Sequence, residues 1–323
     1  MQFKTTPAPF ILPSTSIHDV MLQLIIALMP AVGVMVWLFG EAIIIQLLLA
    51  SITALLVEAL CLRLRAKAIK THLLDMSALI TGLLLALSIP SLAPWWVSVV
   101  GVSFAIIIGK HVYGGLGHNP FNPAMVGYVF LLISFPQQMT AWQIPHEMIN
   151  FNRVVELIFC NQHGIDAITA ATFLDSAKTA LRTQGYLGEI NYDYLWLAVA
   201  YFIGGMGLLA RRVIRWQIPA GVLLGLLIPA TIFYLIDSQI YHSPWQHLIS
   251  GAIMCAAFFI ATDPVSAATS QKARFIYGLL IGLLIYIIRT WGAYPDGVAF
   301  AVLLANLTAP SLDYLLRPKR ESL

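Results

Sequence analysis

Charge is what this chain lacks most. Of its 323 residues only 10% are Asp, Glu, Lys or Arg, against 59% hydrophobic, and the mean hydropathy is +0.82. A soluble domain typically carries about a quarter of its residues as charges, so this composition excludes a soluble globule and makes the bilayer the solvent. The net charge of +3 is small and spread over loops. That excludes the concentrated basic face of a nucleic-acid binder. Cysteine is scarce too: Cys61, Cys160 and Cys255 stand far apart, with no Cys-x-x-Cys pair and no His at ligand spacing. Neither a disulfide framework nor a zinc or iron–sulfur centre is encoded. Any redox centre must be organic or belong to a partner. The stretch up to Asp19 is polar and Pro-containing, without the basic-then-apolar pattern of a signal peptide, so the first helix is expected to stay in the protein.

What the chain does have is a series of ten apolar runs, at 20–39, 42–62, 77–89, 95–109, 121–135, 194–210, 218–236, 248–261, 275–288 and 297–316. A helix needs roughly 20 residues to cross a bilayer core of about 30 Å. Several runs are shorter and must be tilted, extended or broken. The shortest, Ser77 to Ile89 and Ser250 to Thr262, stop at Pro90 and at Asp263-Pro264; each would rise only about 20 Å as a helix.

These two short runs are followed by matching sequence. Ser77-Ala78-Leu79-Ile80 and Pro90 lead through one helix to Gly114-Gly115-Leu116-Gly117-His118-Asn119-Pro120-Phe121-Asn122-Pro123. Ser250-Gly251-Ala252-Ile253 and Pro264 lead through one helix to Gly292-Ala293-Tyr294-Pro295-Asp296-Gly297. The correspondence predicts an all-α integral membrane fold of about ten transmembrane helices, arranged as two five-helix repeats. Five is odd, so the copies enter the membrane from opposite sides, and interrupted segments at matching places in inverted repeats point to a midplane site. The same Gly and Pro residues would also serve close packing and kinks alone. The expected division is 1–135 for the first repeat, 136–193 for an extracytoplasmic loop and 194–323 for the second repeat.

Orientation follows from the basic residues of the short loops. Lys4, Arg63, Arg65, Lys67, Lys70, Lys110, Arg211, Arg212, Arg215, Lys272, Arg274, Arg317, Lys319 and Arg320 all fall on one side of this topology. Both termini are therefore expected in the cytoplasm, and the 136–191 loop on the opposite face. That loop contains the small-residue heptad Asp166-Ala167-Ile168-Thr169-Ala170-Ala171-Thr172, followed by Phe173-Leu174-Asp175-Ser176-Ala177-Lys178. By propensity it reads as a Thr-rich loop with a helix cap at Asp166 or Thr169.

The heptad also resembles the acceptor motif Asp-x-x-(Ser/Thr)-Gly-Ala-(Thr/Ser), on whose last hydroxyl a flavin transferase esterifies the phosphate of FMN; Ala170 stands where Gly is usual. Three further stretches join it: Asn119-Pro120-Phe121-Asn122-Pro123-Ala124, Ala261-Thr262-Asp263-Pro264-Val265-Ser266-Ala267, and Tyr294-Pro295-Asp296-Gly297-Val298-Ala299-Phe300-Ala301. Together, and in this order, they resemble the NqrB/RnfD family, whose members are membrane subunits of the bacterial Rnf electron-transport complex and of the sodium-pumping NADH:quinone reductase. The similarity runs from about Val20 to Pro318. The short N-terminal stretch favours the Rnf side. The resemblance implies a urea-transporter-like fold and a flavoprotein subunit in the bacterial inner membrane, with FMN esterified to Thr172 on a periplasmic loop. It implies electron transfer between ferredoxin and NAD coupled to Na+ or H+ movement, by a complex in which this subunit is not catalytic alone. The implied partners are the other subunits, a flavin transferase for maturation and the lipid bilayer. Asp166, Thr169 and Ala171 would belong to the acceptor motif, and a second, non-covalent flavin such as riboflavin is compatible with it.

Within the apolar runs every ionisable or amide residue is a candidate. Asn119, Asn122, Asp263 and Asp296 sit at the matching breaks, where they either satisfy freed backbone groups or bind an ion or second flavin. Glu58 is expected to snorkel or to pair with Arg63 or Arg65. Lys110 and Arg289 occupy equivalent places, either facing a reduced flavin or quinone or anchoring at the interface. Lys178 and Arg182, four residues apart, would face the ester phosphate from one side of a helix or form a solvated face. A reading from a different class, a solute channel or secondary transporter on the same inverted-repeat fold, stays open because fold does not fix function. It requires a continuous polar path through the Asn119 and Asp263 breaks.

Overall fold

The computed structural model describes residues 16–147, 149–160, 168–184, 192–294 and 296–316. Helix occupies each of the ten apolar runs. The order is α1 (Ile17–Phe39), α2 (Ala42–Leu64), α3 (Ile69–Leu73), α4 (Ser77–Ala86), α5 (Trp95–Ile106), α6 (Pro123–Ser134), α7 (Pro136–Thr140), α8 (Phe151–Phe159), α9 (Phe173–Gln184), α10 (Asp193–Ala210), α11 (Gln217–Ile236), α12 (Pro244–Ile249), α13 (Ile253–Cys255), α14 (Gln271–Trp291) and α15 (Val298–Leu315). Helices α1, α2, α10, α11, α14 and α15 are each long and apolar enough to cross a membrane. The chain is an all-α, multi-pass integral membrane protein.

The two short runs behave as their prolines dictate. Helix α4 ends at Ala86, four residues before Pro90, and most of its positions are buried. Helix α13 has only three residues and widens into a π-helical stretch, Ala256–Ile260, in which every residue is buried. A second π-helical stretch, Ile107–His111, finishes α5. Such wide turns inside helices are frequent at functional sites. Neither short run is a continuous lipid-facing span.

Small residues decide which helices touch. Gly221 and Gly225 on α11 face Gly278 and Gly282 on α14, each pair spaced four apart so that both lie on one helix face. A methyl added at Gly221 would stand 3.0 Å from the Gly278 Cα, and one at Gly225 would meet the Leu279 carbonyl. Helix α1 packs on α10, α2 on α4 and α5, α5 on α6, α14 on α15, and α6 on α15. One hydrophobic core runs through all of them.

The loop between α6 and α10 is folded down onto this bundle. Its strands β1 (Trp142–Gln143) and β2 (Thr169–Ala170) pair antiparallel, Trp142 opposite Ala170 and Gln143 opposite Thr169. Helix α8, capped by Asn150, buries Val154, Leu157 and Ile158 in a small cluster with Ala42 and Leu92, over the start of α2 and the break after α4.

Candidate functional site

Thr172 directly precedes α9. Its Oγ1 accepts a long contact from the Asp175 N–H at 3.4 Å, and its carbonyl accepts from the N–H groups of Asp175 and Ser176 at 3.0 and 2.9 Å. Thr172 is thus the N-cap of α9, the role the sequence suggested for Asp166 or Thr169. Thr169 is held in β2 instead, Ala171 is exposed in the turn between them, and Asp166 lies outside the described residues. Half-buried itself, Thr172 lines a cleft of about 150 Å³ with Asp175, Tyr128, Tyr201, Gly251, Ala252 and Asp296. Met35 and Phe39 of α1, Met125 of α6, and Val298 and Ala299 of α15 complete a largely apolar wall.

Two polar systems hold the edges of this cleft. At one edge, the buried Gln143 side chain accepts from Ser91 Oγ at 2.8 Å and donates to the Glu147 carbonyl at 3.2 Å. Gln46 of α2 donates to the Ser91 and Ala93 carbonyls at 3.2 and 2.6 Å and accepts from Ser98 Oγ. The backbone freed where α4 stops is thereby satisfied by side chains, as an apolar surround requires. At the other edge, Asp296 accepts from Arg289 Nε and Nη2, both at 3.2 Å, from the Ala252 N–H at 2.9 Å and from the Val298 N–H at 3.3 Å. Arg289 also donates to the carbonyls of His247 and Ser250 at 2.9 and 3.1 Å. Gly251, at φ +66°, sits inside this clasp, and a Cβ there would lie 2.6 Å from Arg289 Nη2.

The four polar residues of the matching breaks do not form one cluster. Asp296 lines the cleft beside Thr172, whereas Asn119, Asn122 and Asp263 line a second cavity of about 80 Å³, with Lys110, Ser77, Thr81 and Thr262. This second cavity is bounded by the first turns of α1 and the cleft by its last turns. An apolar partition separates them: Met125 and Ile260 line the cleft, while Ala124 and Phe259, their chain neighbours, line the cavity. Asn122 caps α6 by accepting from the Met125 N–H at 3.2 Å; its amide donates to the Ile260 carbonyl at 3.3 Å and its backbone N–H to Asn306 Oδ1 at 3.2 Å. Asp263 accepts from Ser266 Oγ at 2.7 Å. Asn119 donates to the Phe121 carbonyl, but its buried Oδ1 has no partner among the described residues.

The charged side chains sit differently from the sequence expectation. Glu58 neither snorkels nor pairs with Arg63 or Arg65. It is buried, 2.8 Å from Lys110 Nζ and 3.0 Å from His111 Nε2, and Arg65 contacts His111 instead. Lys110 also donates to Ser77 Oγ at 2.9 Å. Arg289 is likewise buried and paired, with Asp296 at 3.2 Å. Lys178 forms no solvated face: its ammonium donates to the carbonyls of Ile288, Gly292 and Tyr294 at 3.1, 3.1 and 2.6 Å. Ile288 lies in the last turn of α14, and Gly292 and Tyr294 follow it, so the ammonium sits at the negative end of the helix dipole. The Arg182 side chain lies outside the described residues. Sequence reading missed Gln46, Gln143 and Ser91; a glutamine in the middle of an apolar run was the signal available at Gln46.

A sequence model described as the NQR2, RnfD, RnfE family matches residues 4–321. Among curated proteins, the chain is 45% identical to several named as D-type subunits of the ion-translocating oxidoreductase complex. Those from Salmonella paratyphi A and from an Escherichia coli O17:K52:H18 strain match over 99% of this chain and 98% of their own length. The one from Cronobacter sakazakii matches over 99% of both.

Proposed function

Because the chain belongs to the NQR2, RnfD, RnfE family, we propose that it is the membrane flavoprotein subunit of an ion-translocating oxidoreductase complex, with FMN esterified to Thr172. The observation that carries this reading is the position of the Thr172 hydroxyl. It stands at the N-terminus of the twelve-residue α9 and borders an apolar, aromatic-lined cleft between helices from both ends of the chain. A phosphate ester on that oxygen meets the first-turn N–H groups and positive dipole end of α9. Tyr128, Tyr201 and Met35 offer the flat apolar surround that a flavin ring requires. FMN supplies one- and two-electron chemistry, while the protein contributes position and exclusion of water. Asp166 and Thr169 serve recognition by the transferase rather than turnover.

The same reading assigns the complex electron transfer between ferredoxin and NAD coupled to Na+ or H+ translocation, in the bacterial inner membrane. Both termini are cytoplasmic and the Thr172 loop periplasmic. It also assigns two inverted five-helix repeats. In support, α1 packs on α10 and α6 on α15, which are corresponding members of the two halves. Lys110 bonds Ser77 much as Arg289 bonds the Ser250 carbonyl, joining equivalent helix ends. The second cavity, with the unpartnered Asn119 Oδ1 and the Lys110 ammonium, suits the polar edge of a second, non-covalent flavin. The apolar partition at Met125, Phe259 and Ile260 speaks against a solute channel, which needs a continuous polar path. Peptide mass spectrometry of the protein produced with a flavin transferase tests the assignment. The segment from Asp166 to Lys178 carries the mass of FMN less water, and an unmodified segment overturns the flavoprotein reading.

A further inference from the structure

The acceptor segment is tied to the helical bundle at two separated points, through Gln143 and Lys178, neither of which lines the cleft. Upstream, β2 pairs with β1, and the Gln143 side chain of β1 is hydrogen-bonded to Ser91, in the break that follows α4. Downstream, Lys178 of α9 reaches across to the end of α14 and engages three backbone carbonyls there. Between these ties lie Thr172, and Leu174, whose methyl group stands 3.0 Å from where a Cβ on Gly251 would be. The first tie leads, through Ser91 and Gln46, to α2, α4 and α5. The second leads to the α14 end at which Arg289 and Asp296 clasp the start of α13.

We propose that Lys178 and Gln143 are positioning residues that suspend Thr172 between the two helical breaks and thereby set how deep its flavin sits in the cleft. The proposal rests on the flavin assignment of Thr172. Three carbonyls around one ammonium give a multidentate attachment that a single surface ion pair lacks, and burial of the Gln143 amide makes its bonds costly to exchange for water. A loop that only carried its cofactor outward would need neither tie. A loop with both ties follows each break, so a displacement of the α13 start relative to the α4 end changes the position of the Thr172 hydroxyl.

The test uses the whole complex, produced with its flavin transferase, and compares Lys178→Met, Lys178→Arg and Gln143→Leu with the parent. Covalent flavin is first counted by peptide mass spectrometry. On samples of equal flavin content, iodide quenching of the flavin fluorescence and its midpoint potential are then measured. Lys178→Met and Gln143→Leu retain the covalent flavin but show quenching raised towards that of free FMN and a shifted potential, and Lys178→Arg returns both towards the parent. Unchanged quenching and potential in both tether variants overturn the proposal, as does a shift in Lys178→Met that Lys178→Arg fails to reverse. If Lys178→Met does not accumulate, Gln143→Leu decides by the same two readouts. Absence of flavin from the parent protein defeats the flavin assignment instead and is read directly in the first step.

Discussion

The Glu58 carboxylate lies 2.8 Å from the Lys110 ammonium, both side chains 2% exposed, between helices of an otherwise apolar composition. His111 binds the second carboxylate oxygen and Ser77 the same ammonium, so the pair is satisfied on several sides. Charges taken out of water cost several kcal/mol each, and mutual attraction offsets this only with such complete hydrogen bonding. The pair joins α2 to the π-helical end of α5 and to the start of α4.

Removing one partner leaves the other buried and uncompensated. Glu58→Ala and Lys110→Met should each lower stability by about 3–5 kcal/mol, read as loss of the solubilised protein in a thermal-aggregation assay. Glu58→Leu combined with Lys110→Met should lose less than either single change. Equal or greater loss in the double variant contradicts the picture of a self-compensated pair.

Thr172→Ala removes the acceptor oxygen and the N-cap of α9 together. Its stability cost is about 1 kcal/mol, the usual value for a lost cap, so the chain should still insert and assemble. Covalent flavin and electron transfer should both disappear. Thr172→Ser keeps the oxygen and should keep flavin, and Thr169→Ala should reduce modification without abolishing it. In-gel flavin fluorescence compares the three, and flavin retained by Thr172→Ala would move the acceptor elsewhere.

Gly251→Ala adds a methyl inside the clasp formed by Arg289 and Asp296, at a left-handed backbone position. Strain of this kind costs about 1–3 kcal/mol, and the displaced Asp296 carboxylate also releases the Ala252 N–H. The expected result is a lower melting temperature together with altered flavin fluorescence, because Gly251, Ala252 and Asp296 border the cleft. A protein unchanged in both respects shows that the clasp is looser than its hydrogen bonds indicate.

Asn152 on α8 and Gln271 at the start of α14 are both exposed. A single cysteine at Asn152 should react with a membrane-impermeant thiol reagent added outside the cell membrane, and one at Gln271 should not. The reverse pattern would invert the orientation inferred from the basic loops.

Much of this molecule was legible in local sequence. The bilayer as solvent, the ten helical runs and the early stops before Pro90 and Pro264 follow from composition in a short window or from residues with fixed backbone habits, whereas the reading of Thr172 as a flavin acceptor rests on the resemblance of its heptad to a known motif. The caps were half legible: the hydroxyls and acids of the heptad were evident, but the choice of Thr172 over Thr169 required knowing that β2 pairs with β1.

What only the tertiary structure decided is which distant groups meet. Glu58 finds Lys110 rather than Arg63 or Arg65, Lys178 turns from the solvent to the end of α14, and Asp296 parts from Asn119, Asn122 and Asp263 across an apolar partition. Hydrophobicity tells a helix to enter the membrane without saying which neighbour its few polar side chains will face. That depends on the rotation and close approach of each helix, here set by small residues such as Gly221 and Gly278. In an apolar surround a polar group left alone costs several kcal/mol, so the packing that these contacts fix also determines the pairing of every charge within it.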